Sequence, residues 1–144
     1  MKSFFNSGIC IILAVFLLPV KVYGATNFSG KWRWALYADS VDELPPAYRH
    51  LPLKKVPEYS LDVEIFQKGD KIHGHSSSTY NFQSRTDTDD FVGKVNGSAT
   101  TFTIHSGHGG KILVKLSKEE KHLHWKIVKQ QGEHFFPKDV LLSK

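Results

Sequence analysis

The sequence predicts an all-β protein, an antiparallel up-and-down β-barrel of about eight strands. Apolar and polar residues alternate along most of the chain after residue 30, which is the period of a half-buried strand. Turn residues recur every eight to twelve positions, and Asn96–Gly97 is a strong signal for a tight hairpin. No stretch keeps a helical period. An open meander of this size would expose two edges, so closure into a barrel is favoured, and a two-sheet sandwich remains the alternative.

The first strands follow from this alternation. The segment "KWRWAL" places Trp32, Trp34 and Leu36 on one face of a strand. Residues 59–67, "YSLDVEIFQ", alternate in the same way, and "KGD" then turns the chain into "KIHGHSSSTY". We therefore predict three strands before residue 81, with the largest connection lying between the first two.

The later strands form successive hairpins. "DDFVGKV" and "SATTFTIHS" flank the Asn96–Gly97 turn, and "HGG" leads into "KILVKLS". "SKEEK" turns the chain into "HLHWKIV", and "QQGE" leads to a last strand within "HFFPKDVLLSK". The residues predicted to face the interior are Trp32, Trp34, Leu61, Val63, Ile65, Phe102, Ile104, Val114, Leu116, Leu123, Trp125 and Ile127.

Residues 1–24 read as a cleaved signal peptide. Lys2 supplies a positive start, and the apolar run Ile9–Leu18 is too short to span a bilayer. Val22 and Gly24 suit the −3 and −1 positions of a cleavage site. We therefore expect an exported protein in the periplasm, with the extracellular space as the alternative.

The remaining residues, 25–144, have the length of a single domain with one core. Without the leader the formal charge falls from +5 to about +3. A charge this small, on an exported chain, argues against a nucleic-acid partner. The only cysteine, Cys10, lies in the leader, so the mature chain has no disulfide and no thiolate chemistry. We expect no transmembrane segment after cleavage.

One segment, residues 38–58, breaks the strand rhythm. It contains four prolines and carries apolar side chains that no strand claims, among them Leu44, Tyr48 and Leu51. Loops of this length in compact domains are often lids or binding loops. We predict that this segment either closes over the mouth of the barrel or contacts a partner.

The motif Gly30-Lys31-Trp32 resembles the G-x-W signature that opens the first strand of lipocalins, avidins and related calycin barrels. The resemblance implies that Trp32 seals the closed end, that Trp34 faces the cavity above it, and that the long first loop lies over the open mouth. Lipocalins usually bring an arginine from the last strand against this tryptophan, whereas here only Lys138 and Lys144 lie near the C-terminus. No helix is predicted after the barrel.

These features predict a non-catalytic binding protein that holds a small apolar or amphipathic molecule in the barrel mouth, without a cofactor. The alternative is an inhibitor or immunity protein that binds another envelope protein, such as a cell-wall hydrolase, through its loops. Tyrosine and arginine often anchor such interfaces. The residues expected to bind the ligand or the partner are Trp34, Leu44, Tyr48, Arg49, Leu51 and Tyr59.

Two histidine pairs support a third hypothesis, a metal carrier. His73 with His75, and His122 with His124, are each two residues apart and therefore share a strand face. Alternation directs both pairs to solvent, and the third and seventh strands of a meander are not neighbours. Two ligands are too few for a closed zinc site. We therefore predict no metal site and keep these four histidines only as weak candidates.

The remaining motifs indicate turns rather than catalytic chemistry. "TDTDD", residues 86–90, lacks the spacing of a calcium loop and is predicted to be a solvated turn. "GHGGK", residues 107–111, lacks phosphate-loop spacing and precedes a strand instead of a helix. No nucleophile elbow is present, and we expect no enzyme activity.

Overall fold

The computed structural model describes residues 26–144, so the predicted leader lies outside the described residues. This part of the chain contains β-strands and three short 3-10 turns, and no helix within it is long and apolar enough to cross a membrane. The strands are β1 (Gly30–Leu36), β2 (Tyr59–Lys68), β3 (Lys71–Tyr80), β4 (Arg85–Asn96), β5 (Ala99–His105), β6 (Lys111–Glu119), β7 (His122–Gln131) and β8 (Asp139–Leu142).

The strands form a nearly closed up-and-down barrel. Each strand pairs antiparallel with the next in sequence order, from β1 to β8. The first and last strands meet at one point, where the backbones of Arg33 and Ser143 exchange two hydrogen bonds of 2.8 and 2.9 Å. The predicted all-β, up-and-down architecture is therefore confirmed.

The core lies inside the barrel, where the strand alternation places it. Of the twelve predicted interior residues, all are buried except Trp34 and Ile127, which are half-buried and pack against the core. Ile127 lies beside a β-bulge, where the register between β6 and β7 shifts. Residues outside that set of twelve complete the core: Phe28, Ile72, Phe91, Val95, Ile112, Phe136 and Leu142.

The two ends of the barrel differ. Short turns close the end where β1 begins, and Phe28 and Trp32 fill it. At the other end, the mouth, lie the long loop 38–58, the β3–β4 and β5–β6 connections, and the β7–β8 connection. The last of these, residues 132–138, is the connector.

Strands β4 and β5 pair only near their hairpin, over three residue pairs. Above it the strands separate, and the rings of Phe91 and Phe102 stack across the gap with centroids 4.0 Å apart. The Asp89 carboxylate accepts a hydrogen bond of 2.7 Å from the His105 amide, which replaces a backbone ladder bond. A side chain thus joins the two strands where the backbones cannot.

The prediction that residues 86–90 form a solvated turn is wrong. These residues belong to β4, and the Asp87 side chain points inward and is only 2% exposed. Its position is explained by three donors from other segments that satisfy the buried carboxylate, since a buried charge without such partners would be strongly unfavourable.

Candidate functional site

The closed end of the barrel is sealed by Trp32. The indole is 2% exposed, and its Nε1 donates a hydrogen bond of 2.9 Å to the Phe28 carbonyl. The ammonium groups of Lys118 and Lys144 lie 4.3 and 4.8 Å from the ring centre. Cations near an aromatic face are attracted by its quadrupole. Lysines thus occupy the place for which the calycin resemblance implied an arginine.

Packing at this end explains two local features. Gly30 has φ of +132°, and a Cβ there would lie 3.0 Å from Lys144 Cε, so a larger residue would displace the lysine from Trp32. Burial lowers the pKa of Lys118, and the neighbouring charge of Lys144 lowers it further. Buried side chains fill this end, and we do not place a ligand there.

The mouth of the barrel contains a cleft of about 800 Å³ that opens to solvent. Three aromatic side chains form one wall. The Tyr59 and Tyr80 rings stack with centroids 3.7 Å apart, and the Trp34 ring meets Tyr59 edge-on at 5.2 Å. The rest of the lining comes from Gln83, Gln130, Gly132, Glu133, His134, Phe135, Phe136, Pro137, Lys138, Asp139 and Val140.

The connector crosses the mouth and forms the opposite side of the cleft. Phe136 is 3% exposed and enters the core, and the indole N–H of Trp125 donates to the Pro137 carbonyl at 3.0 Å. The Phe135 carbonyl accepts hydrogen bonds from the hydroxyls of Tyr59 and Ser78. Burial raises the pKa of Tyr59 well above its usual range. The Tyr59 hydroxyl is therefore engaged, and the tyrosine offers the cleft only its ring.

Asp87 fastens the connector to the barrel wall. Its carboxylate accepts hydrogen bonds from the Phe135 amide at 3.1 Å, from the Gly107 amide at 3.1 Å and from the Ser106 hydroxyl. One buried side chain thus ties β4 to both the β5–β6 connection and the connector. Sequence reasoning missed this residue, although the alternation continued back from Phe91 would have placed Asp87 on the inner face.

Two histidines contribute to the same region. His108 Nε2 lies 3.2 Å from the Thr86 carbonyl oxygen, and the His108 ring meets Phe135 edge-on at 4.5 Å. His134 lines the cleft, and its Nδ1 accepts a hydrogen bond of 3.3 Å from the Phe136 amide. Burial lowers the pKa of His134, which favours the neutral imidazole.

The structure brings together two of the six predicted binding residues, Trp34 and Tyr59, which share the aromatic wall. The other four, Leu44, Tyr48, Arg49 and Leu51, lie in loop 38–58 and do not belong to the lining of this cleft. Sequence reasoning also missed Tyr80 and the connector, because nothing local to them indicates that they meet Trp34.

Loop 38–58 folds against the β3–β4 connection. Tyr48 packs on Phe82 with ring centroids 5.4 Å apart, and the Asn81 side-chain amide donates to the Pro57 carbonyl at 2.8 Å. Leu44 is 3% exposed, and the Arg49 Nε donates to the Leu44 carbonyl at 3.0 Å. The loop is therefore an ordered structure beside the mouth, and the cleft is bounded by the connector instead.

The predicted histidine pairs lie on β3 and β7, which are not adjacent. His73 and His75 are exposed, and His75 Nδ1 lies 2.7 Å from an Asp90 carboxylate oxygen. His124 lies between Glu119 and Asp139, so both ring nitrogens already have partners. Within residues 26–144, no group of three or more histidine or acidic side chains is arranged to hold a metal ion.

No protein-family model matches this chain, and neither a curated protein nor a solved structure is significantly similar to it. The likeness to calycin barrels therefore has its support in the strand order and the sealed end of this chain alone.

Proposed function

We propose that this protein is an exported, non-catalytic binding protein that holds a small apolar or amphipathic molecule in the cleft at the barrel mouth. The observation that carries the proposal is the wall of Trp34, Tyr59 and Tyr80, whose rings face an open cleft of about 800 Å³. Clefts of a few hundred to about 1,000 Å³ with aromatic walls and few polar groups are typical of small-molecule sites.

The polar rim of the cleft favours an amphipathic ligand. Lys138, Asp139 and Glu133 belong to the same lining as the aromatic wall. An apolar body would stack on the wall, and a polar head would meet this rim, where solvent still reaches it. The described lining supplies stacking surfaces and hydrogen-bonding groups, which suits capture of a ligand better than its chemical conversion.

We also infer kinship with the calycin barrels, including the lipocalins. The support is the G-x-W motif at the start of β1, the Trp32 plug and the cations that cover it. This kinship agrees with export and with ligand binding at the open end, while lysine in place of arginine and the short last strand separate this chain from typical lipocalins.

A second candidate, an inhibitor or immunity protein, is favoured by the order of loop 38–58. The Arg49 side chain donates to the carbonyls of Leu44 and Asp42, so the loop is already shaped without a partner. Within the same loop, Val41 is 44% exposed. A preformed loop with exposed apolar surface lowers the entropic cost of binding another protein.

The test uses a fluorescent amphipathic probe, 1-N-phenylnaphthylamine, and its displacement by fatty acids and sterols. Trp34→Ala should weaken probe binding at least tenfold, because the variant loses one face of the wall. Leu36→Ala is the matched control, since Leu36 lies on the same strand, is 47% exposed and does not line the cleft. Equal binding by both variants would exclude this cleft as the site.

A further inference from the structure

The outer face of β6 and β7 carries four exposed lysines, Lys111, Lys115, Lys126 and Lys129. Lys115 lies directly opposite Lys126 in the paired strands. Like charges in directly opposite positions destabilise a sheet. The pairing concentrates positive charge on this face.

On the opposite wall of the barrel, cations are paired with carboxylates. On β1 and β2, Lys31 pairs with Glu64 and Arg33 with Asp62, each at 3.6 Å. On the β6–β7 face, the one carboxylate within 4 Å of a lysine ammonium among residues 26–144 is Asp139, 3.9 Å from Lys126. Three of the four lysines on this face therefore have no carboxylate within 4 Å among these residues.

A small groove of about 210 Å³ runs along this face between Lys111 and Lys129. Thr103 and Gln131 lie in its wall. Two ammonium groups with a hydroxyl and an amide beside them can donate several charge-assisted hydrogen bonds to the oxygens of one phosphate group. The groove is also of a size for a single phosphate-bearing headgroup.

Apolar side chains lie among the lysines. The register shift between β6 and β7 leaves Val128 as the extra residue of a bulge, and its side chain is 48% exposed. Bulges re-aim side chains, and here an apolar one is turned to solvent. Leu113 borders the groove, and on the neighbouring strand Leu141 is 50% exposed.

We propose that the β6–β7 face docks onto a bilayer containing anionic phospholipids. A headgroup phosphate enters the groove between Lys111 and Lys129, while Val128 contacts the apolar part of the interface. A soluble polyanion would bind to the lysines alone and would not contact an exposed valine. Cations and apolar side chains lie together on one convex wall. The cations would bind the anionic headgroups of a lipid surface, and the apolar side chains would contact the apolar part of its interface.

The first test measures partition onto vesicles of one part phosphatidylglycerol to three parts phosphatidylcholine, at low salt. Lys115→Gln/Lys129→Gln should weaken partition about 25-fold, about fivefold for each lysine. The matched control, Lys31→Gln/Lys94→Gln, removes the same charge from lysines paired with Glu64 and Asp70 and should change partition less than about twofold. All variants keep the same N-terminal residues, so any contribution of those residues to vesicle partition is the same in each variant. Equal losses in the two variants would mean that only net charge matters, and would overturn the proposal.

The second test reports which face meets the lipid. In a Cys10→Ser background, Val128→Cys provides a unique thiol for an environment-sensitive dye. Its emission should shift to the blue on the anionic vesicles, and the same dye on Val92→Cys, an exposed position on β4, should not shift. No shift at residue 128, or tighter binding to inorganic polyphosphate than to vesicles at equal phosphate concentration, would overturn docking on lipid.

Discussion

Trp32 and Trp34 lie two residues apart on the same face of the same strand, yet their environments differ completely. Trp32 is 2% exposed, closed in by Phe28 and covered by two lysines. Trp34 is half-buried and stands in an open cleft beside Tyr59. At one end of the barrel short turns let the core fill the interior. At the other end a longer connector is fastened across the opening and leaves space beneath an aromatic wall.

The comparison places a packed seal and an open cleft at opposite ends of one barrel. At the closed end Trp32 is 2% exposed and is held by packing, by its hydrogen bond to Phe28 and by two lysines. The mouth carries polar contacts of high specificity, made by Asp87, Tyr59 and Ser78 to the connector. Those contacts fix the connector in a position that leaves a cleft beside the aromatic wall. Substitutions of Trp32 and of Trp34 should therefore separate into a loss of stability and a loss of binding.

The largest effect is expected at the closed end. Trp32→Ala should lower the free energy of unfolding by about 3–5 kcal/mol, because it removes a buried aromatic ring and leaves a cavity. Trp34→Ala should cost less than half as much, since part of its surface is already solvated. Urea unfolding followed by circular dichroism measures both. Equal losses of unfolding free energy in the two variants would contradict the difference between the two ends.

A substitution of Asp87 tests whether the order of the connector depends on the hydrogen bonds to this carboxylate. Asp87→Ala leaves the amides of Phe135 and Gly107 and the Ser106 hydroxyl without this acceptor, at a cost of about 2–4 kcal/mol in unfolding free energy. Hydrogen exchange should accelerate at the Phe135 amide and remain slow around Trp32. If exchange rose equally at both ends, the connector would be part of one cooperative unit with the closed end.

Tyr59→Phe separates the ring from the hydroxyl. The variant should lose about 1 kcal/mol of stability, because the Phe135 carbonyl keeps its hydrogen bond from Ser78, and it should bind the probe as the native protein does. The folded-state pKa of Tyr59 is raised, so its contribution is present below the unfolded-state value of 10.0 and declines as pH rises above it. The native protein should therefore lose stability above about pH 10 more steeply than Tyr59→Phe, in melting curves recorded from pH 8 upward.

The smallest effect on stability is expected in loop 38–58. Tyr48→Ala/Leu51→Ala should change the unfolding free energy by about 1 kcal/mol or less, because both residues are only half-buried. Binding of the small probe should be unchanged, since the loop does not line the cleft. If the double variant instead loses the probe, the loop is part of the mouth. If it loses only a protein partner from an envelope extract, the inhibitor hypothesis gains support.

The sequence by itself determined the number and order of the strands and most of their inward faces, since these follow from a period of two residues and from turn residues that act locally. It also indicated Trp34 and Tyr59 as binding residues, Trp34 through the resemblance to calycin barrels.

Only the tertiary structure decided what covers the mouth. The connector reaches Asp87, 48 residues away from Phe135 along the chain, and Tyr59, 76 residues away. No local pattern encodes pairings at such separations. The burial of Asp87 shows the same limit: an acidic residue is read as solvated unless its donors are known, and those donors come from segments that meet only once the barrel has closed.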